Sequence, residues 1–257
     1  MVEVERPAVS VVIPMFNAER TISVPLGALV SQNLPAWALE LNLVDDGSTD
    51  RSVPVARSLL EQAPFRWRLL QGTHMGVSTA RNRGIEASGG EHVYFLDADD
   101  FLPPDFLSTV LEGIETKRAD MAWTWKITNP AELRPLRRHA MSGRSTGMGC
   151  LEAFLREPKN AQVMVRKSFL NTTGTRYTDG LAYGEDFDFF VRLLASARLV
   201  HVEEKTFYLY RKHALQVTRT IDRLKARQAS DGSLRRLFSY LSSRDVPGHV
   251  MLEMKRH

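Results

Sequence analysis

The segment His92-Val93-Tyr94-Phe95-Leu96-Asp97-Ala98-Asp99-Asp100 carries an apolar run straight into three acids. A short run of this kind reads as a strand. Just before it, residues 76–88 form a helical pattern that ends at Gly89-Gly90. Further toward the N-terminus, Trp67-Arg68-Leu69-Leu70 and Leu41-Asn42-Leu43-Val44 suggest two more strands. Val9-Ser10-Val11-Val12-Ile13, closed by Pro14, is consistent with a buried one. Residues 18–32 carry Ile22, Leu26, Leu29 and Val30 at helical spacing. Asp45-Asp46-Gly47-Ser48 is a turn, after which Thr49 or Asp50 would cap a helix through about Glu61. Strand and helix in this rhythm imply an α/β fold with a mostly parallel sheet covered on both faces.

After Asp100 the rhythm loosens. Pro103-Pro104 starts a helix to about Lys117, and Met121–Ile127 reads as a strand. Residues 128–149, rich in Pro, Gly, Arg and Ser, read as a long loop with some local helix. Residues 184–197 form a helix with Phe187, Phe190, Val191 and Leu194 on one face. Thr206–Tyr210 is a late strand, and a basic helical pattern runs from about Val217. There is no internal repeat.

The 257 residues are 43% hydrophobic and 25% charged, which supplies a sizeable core and excludes a disordered or fibrous chain. One cysteine, Cys150, rules out an intrachain disulfide framework, suits a reducing compartment, and reads as a small packing residue. No run approaches the ~20 apolar residues of a membrane span, and Met1-Val2-Glu3-Val4-Glu5-Arg6 lacks a signal-peptide core. A cytoplasmic protein is expected. The net charge of +4 is unevenly spread. Residues 211–257 hold eleven Lys/Arg against four Asp/Glu, and residues 1–210 hold twenty-three against twenty-six. The body is mildly acidic and the tail alone makes the chain basic.

In open parallel sheets, ligands bind at the carboxyl ends of the strands. Three such ends here carry Pro14-Met15-Phe16-Asn17, Asp45-Asp46-Gly47-Ser48 and Asp97-Ala98-Asp99-Asp100. Acids converging there repel one another unless cations or hydrogen-bond donors compensate. Mg²⁺ and Mn²⁺ prefer carboxylate oxygens and often bridge phosphates, so a nucleoside diphosphate is a natural ligand for an Asp-X-Asp turn. Asp and Gly are also ordinary turn residues, which leaves a purely structural reading open for each motif alone. Neither G-x-x-x-x-G-K-[ST] nor a G-x-G-x-x-G opening a helix after the first strand is present.

Taken together, five segments resemble family 2 glycosyltransferases of the GT-A fold. They are residues 9–19, Val44-Asp45-Asp46-Gly47-Ser48-Thr49-Asp50, Gly76-Val77-Ser78-Thr79-Ala80-Arg81-Asn82-Arg83-Gly84-Ile85, Phe95–Asp100, and Gly184-Glu185-Asp186-Phe187-Asp188-Phe189. The resemblance implies a Rossmann-like central sheet flanked by helices. It further implies a donor half over residues 1–127, an acceptor and catalytic half over 128–216, and a basic helical extension over 217–257.

By the same resemblance, Pro14, Phe16 and Glu19 line the nucleotide base and ribose, and Asp46 accepts a hydrogen bond from the base, typically uracil. Arg81 and Asn82 face the diphosphate or donor sugar. Asp97, Ala98 and Asp99 form the Asp-X-Asp turn, with Asp99, Asp97 and Asp100 as ligands of Mn²⁺ or Mg²⁺. Asp186 is the general base of an inverting single displacement, and Glu185 orients it or touches the sugar. At the start of a helix, the dipole would keep Asp186 ionised. Arg211 and His213 resemble a late segment that reaches the diphosphate or metal. His74 stands where many relatives carry Asn and receives no role. Trp123 and Trp125 would either stack on a sugar or pack in the core.

The expected partners are a nucleotide-diphosphate sugar donor, a UDP-sugar first of all, and a glycan or lipid-linked acceptor. The Gln-x-x-Arg-Trp signature of processive synthases is absent, which favours single additions. A catalytically silent nucleotide-sugar-binding module is the competing reading. A sugar nucleotidyltransferase and a haloacid-dehalogenase-type phosphatase both fail on motif position. In the tail, Arg219, Arg223, Lys225, Arg227, Arg235 and Arg236 alternate with Leu224, Leu234, Leu237, Phe238 and Leu241. Such a segment suits peripheral contact with the inner face of an anionic membrane, or with another subunit, better than nucleic acid.

Overall fold

The computed structural model describes residues 6–128, 141, 144–157, 161–181, 183–211, 223–244 and 246–254. Its strands are β1 (Val9–Met15), β2 (Leu39–Asp45), β3 (Arg66–Gln71), β4 (His92–Phe95), β5 (Met121–Ile127), β6 (Ala161–Arg166), β7 (Val200–Val202) and β8 (Tyr208–Leu209). They form one sheet in the order β3-β2-β1-β4-β6-β5-β7, with β8 beside β5. β6 runs antiparallel to both β4 and β5, and the other pairings are parallel. The helices are α1 (Ser23–Val30), α2 (Ser52–Leu60), α3 (Val77–Ala87), α4 (Phe106–Thr116), α5 (Gly147–Arg156), α6 (Lys167–Thr173), α7 (Glu185–Ser196), α8 (Arg223–Ser242) and α9 (Gly248–Met254).

Strand alternation divides the core into two layers. Val9, Val11 and Ile13 of β1 pack with Leu26 and Leu29 of α1 and Ala56 of α2. Val12 points the other way, to a layer that holds Ala80 and Ile85 of α3, Cys150 and Phe154 of α5, and Phe189 and Leu193 of α7. The contact of α3 with β1 depends on Gly84, where an added Cβ would lie 2.2 Å from a methyl of Val12. That close approach aims the start of α3 at the sheet's carboxyl end.

The βα rhythm up to Ile127 matches the expected order, with α1 starting later than its apolar spacing implies. Residues 18 and 19 are instead held by the next loop, where Ala18 N–H donates to Ser52 Oγ (2.7 Å) and Glu19 N–H to Asp50 (3.2 Å). The Asp50 carboxylate also accepts from the Ser52 N–H (2.9 Å), but the N-cap position falls on Arg51, one residue past the expected Asp50, and no side chain caps the helix. Strands β6 and β7 and helix α6 carried no sequence signal of their own. β6 is a reversed strand outside any βαβ unit, and its buried run Ala161–Val165 lacks alternation. Part of the expected loop 128–149 is the start of α5, capped by Thr146 accepting from Gly149 N–H (3.1 Å). Residues 129–140, 142 and 143 lie outside the described residues.

Trp123 and Trp125 are fully buried, edge-on to each other, with Trp123 also against Phe154 and Phe190. Their sugar-stacking alternative is therefore excluded in favour of core packing. Cys150 is buried too, and desolvation pushes its thiol up to about 11, in keeping with a packing role. The tail also turns its apolar side inward. Leu237, Leu241, Val250 and Met254 are buried in the same layer, α8 against α7 and α9 against α5. Arg235, Arg236 and Arg244 stay exposed. Arg219 lies outside the described residues.

Candidate active site

β1 hands the chain to β2 on one side, while β4 lies on the other, so the sheet's order reverses at β1. A cleft opens at such a point because the following loops diverge. Here it is a cavity of about 720 Å³ lined by Pro14, Phe16, Glu19, Asp46, Asp97, Ala98 and Asp99, all expected there, and also by His74, Asp50 and Leu181.

One wall is built on the turn after β2. Gly47 has φ +81°, and a Cβ there would meet His74 N at 2.9 Å. The turn presents Asp46 to the 74–76 loop, where Oδ1 accepts from Met75 N–H (2.8 Å) and Oδ2 from Gly76 N–H (2.9 Å). His74 Nδ1 lies 3.3 Å from Oδ2, and its ring stacks on Phe16 with centroids 4.0 Å apart. His74, unassigned from sequence, is thus part of the wall that carries Phe16 and Asp46. Glu19 Oε2 accepts from Arg51 N–H (3.0 Å), tying the first loop to α2.

The opposite wall is the turn after β4. Asp97 Oδ1 accepts from Arg81 (3.0 Å), and Oδ2 from Lys126 Nζ (2.9 Å) and Gln162 (3.3 Å). Burial opposes ionisation, but Lys126 and Arg81 hold this carboxyl well below the usual range. Both oxygens of Asp97 are thereby engaged by protein donors. Asp100 points away from the cleft: it is fully buried, with Oδ2 accepting from Tyr208 O–H (2.7 Å) and Oδ1 from Arg211 N–H (2.9 Å). Burial, then the charge of Asp97, pushes it up to about 7. The expectation that Asp100 directly ligates a metal fails because its oxygens serve the interior. Asp99, half-buried, is the acid of this turn that lines the cleft beside Asp97.

Arg81 departs most from expectation. Its side chain is only 4% exposed, so it does not face the donor. Nη1 donates to Asp186 (2.9 Å) and Glu185 (3.2 Å), Nη2 donates to Asp97, and the guanidinium lies 4.9 Å over the Tyr177 ring. Burial would discharge it, and these carboxylates keep it firmly protonated. Asn82 is likewise structural: its amide donates to Tyr177 C=O (2.9 Å) and accepts from Tyr177 N–H (2.9 Å), anchoring α3 to the segment before α7.

Glu185 and Asp186 open α7, after Gly184. The helix dipole was expected to keep Asp186 ionised at neutral pH. Burial pushes it up, Arg81 pulls it down, and Glu185 and Asp97 push it up again, to about 6, above the usual carboxylate range but still below neutrality. Its side chain remains 36% exposed. Lys126, which sequence reasoning missed, bridges Asp97 and Asp100 (3.5 Å) beneath the rings of Tyr208 and Tyr210. The alternation of β5 held the available signal, since Trp123, Trp125 and Ile127 fill one layer while Lys126 sits on the other face. His213 lies outside the described residues.

Four carboxylates (Asp97, Asp100, Glu185 and Asp186) thus gather around Arg81 and Lys126, with Asp99 beside Asp97 in the cleft lining. The remaining negative charge and hard oxygen donors fit a divalent cation, which Asp99 could hold on the cleft side.

A doubly wound sheet, a nucleotide-sized cleft at its switch point, and an Asp-X-Asp turn tied to a helix-borne carboxylate pair define a GT-A fold. The chain belongs to glycosyl transferase family 2, whose model matches residues 10–217. It is 29% identical over 221 residues to the uncharacterized glycosyltransferase YibD of Escherichia coli, covering 82% of this chain and 63% of that protein. Staphylococcus aureus TarS in complex with UDP-GlcNAc superposes with a TM-score of 0.80 at 18% identity, over 95% of this chain and 69% of that one. The mannosyltransferase PcManGT of Pyrobaculum calidifontis, in complex with GDP-Man and Mn²⁺, gives 0.72 at 16% identity, over 98% and 69%.

Proposed function

We propose that the chain is an inverting, metal-dependent glycosyltransferase that moves a sugar from a nucleotide-diphosphate donor to a hydroxyl of a glycan or lipid-linked acceptor. The observation that carries this reading is that one buried guanidinium, Arg81, holds both Asp97 of the Asp-X-Asp turn and Asp186. The leaving-group and base positions are thereby locked to each other.

In this scheme Phe16 and Asp46 take the base, typically uracil, with Pro14 and Glu19 along the ribose. His74 supports that face. A bound Mn²⁺ or Mg²⁺ would neutralise charge on the departing diphosphate. Asp99 is its candidate ligand, while Arg81 and Lys126 keep Asp97 ionised behind it. The acceptor oxygen attacks the anomeric carbon as Asp186 takes its proton. The bond to the diphosphate breaks with its electron pair leaving on the nucleotide. Such a base is typically worth ~10²–10⁴-fold. Glu185, sharing Arg81 with Asp186, orients it. Residues 1–127 serve the donor and 128–216 the acceptor, with His213 a further metal contact.

Membrane contact is part of the reading in a narrower form. The inward-facing leucines of α8 leave Arg235 and Arg236, with Arg244 after it, for electrostatic contact with an anionic surface, which high salt would release. Co-sedimentation with vesicles containing anionic lipid tests this, and binding unchanged when Arg235, Arg236 and Arg244 are replaced by Gln would reject it.

The central test is a thermal-shift screen of nucleoside diphosphates with Mn²⁺. Ligand at 100-fold above its dissociation constant adds ~2.7 kcal/mol, a readily seen shift. Asp186→Asn should keep donor binding while transfer falls by ~10²–10⁴. No stabilisation by any nucleoside diphosphate with metal would refute the donor assignment, and unchanged transfer in Asp186→Asn would remove the base.

A further inference from the structure

At the opposite end of β4 from the cleft, His92 lies with Glu91 and with Glu115 of α4. One ligand atom from each falls within 4.8 Å of the others. The imidazole is 1% exposed, and its Nδ1 lies 3.1 Å from the Ala8 carbonyl. A carbonyl can only accept, so Nδ1 carries the proton and Nε2 presents a lone pair. That lone pair has no hydrogen-bond partner, yet Glu115 Oε1 stands 3.1 Å away. Two acceptors held face to face call for something positive between them.

We propose that His92 Nε2, Glu115 and Glu91 form a binding site for a divalent transition metal, with Zn²⁺ the best match, separate from the donor cleft. One imidazole nitrogen with carboxylate oxygens is a borderline donor set that suits Zn²⁺ better than Mg²⁺. Tetrahedral bonds of about 2.0–2.2 Å put ligand atoms roughly 3.3–3.6 Å apart; His92 Nε2 and Glu115 Oε1 stand 3.1 Å apart here, and all three ligand atoms lie within 4.8 Å of one another. The Nδ1–H to Ala8 contact is the orienting bond that metal-bound histidines commonly make to a backbone carbonyl. Arg166 is the built-in competitor: it pairs with Glu91 Oε1 (2.9 Å) and Glu115 Oε2 (3.0 Å), leaving Glu115 Oε1 turned to His92. An ion there would join the end of α4 to the start of β4.

The test is Zn²⁺ titration of chelator-treated full-length protein without nucleotide, followed by calorimetry and thermal shift. Wild type and Asp99→Asn should bind one Zn²⁺ alike. Glu115→Gln, a half-exposed change, and His92→Gln should each weaken binding at least ~10-fold, the usual penalty for losing part of a metal shell. Arg166→Gln, with its competitor gone, should bind more tightly. Zn²⁺ affinity unchanged in Glu115→Gln overturns the proposal, even if His92→Gln fails to fold. So does loss of binding in Asp99→Asn, which would assign the ion to the cleft.

Discussion

The ionisation of Asp186 makes the sharpest prediction about the candidate chemistry. A base must be deprotonated, and burial with its acidic neighbours places Asp186 at about 6. The acid limb of kcat/KM, which reports the free enzyme, should therefore have an apparent pKa near 6. About one tenth of maximal kcat/KM should remain at pH 5, about half at pH 6, and about nine tenths at pH 7. The perturbation is Glu185→Gln. Glu185 is among the charges that raise Asp186, so removing its charge should move the limb to lower pH, even if maximal kcat changes as well. The assay is release of nucleoside diphosphate at saturating Mn²⁺ and low acceptor, from pH 4.5 to 8.5, with donor binding checked at each pH. A limb that stays in place or moves upward would refute the electrostatic account. A normal limb in Asp186→Asn would show that another group is titrating.

Stability should also follow pH. Asp186 and Asp100, raised to about 6 and about 7, bind protons more tightly folded than unfolded. Their contribution is complete below about pH 4 and is lost as pH rises through 6–7, while Asp97, which is depressed, contributes above about pH 4 and loses its contribution at more acid pH. Urea midpoints should thus peak between roughly pH 4 and 6, and Asp100→Asn should flatten the decline toward pH 8. Lys126→Met strips a buried partner from Asp97 and Asp100 and should cost about 3–5 kcal/mol, with Lys126→Arg recovering part in the same denaturation assay. Gly84→Ala drives a methyl into Val12 and should cost about 1–3 kcal/mol by urea denaturation, without changing donor specificity.

Much of the donor half was legible because its signals are local. A strand that runs into Asp97 and a turn that needs Gly47 are written in consecutive residues. Their convergence follows from the handedness and order of βαβ units. Pro14, Phe16, Glu19, Asp46, Asp97, Ala98 and Asp99 accordingly line one cleft. Beyond Ile127 the chain leaves that rhythm. β6 is reversed, and its partners β4 and β5 are set by packing rather than by sequence neighbours.

What the sequence by itself determined is which loops meet and which residue types they carry. Only the tertiary structure decided which charges face solvent and which face one another. Arg81 read as a donor contact because arginine suits phosphate, yet the fold buries it among Asp97, Glu185 and Asp186. Asp100 and Lys126 are drawn inward together, and Leu237 and Leu241 of α8 are spent on the core. These outcomes depend on contacts between residues 16 to 108 positions apart. Ionisation and burial are properties of that assembled environment, which is why the roles of Arg81, Asp100, Lys126 and His92 emerged only once the chain was folded.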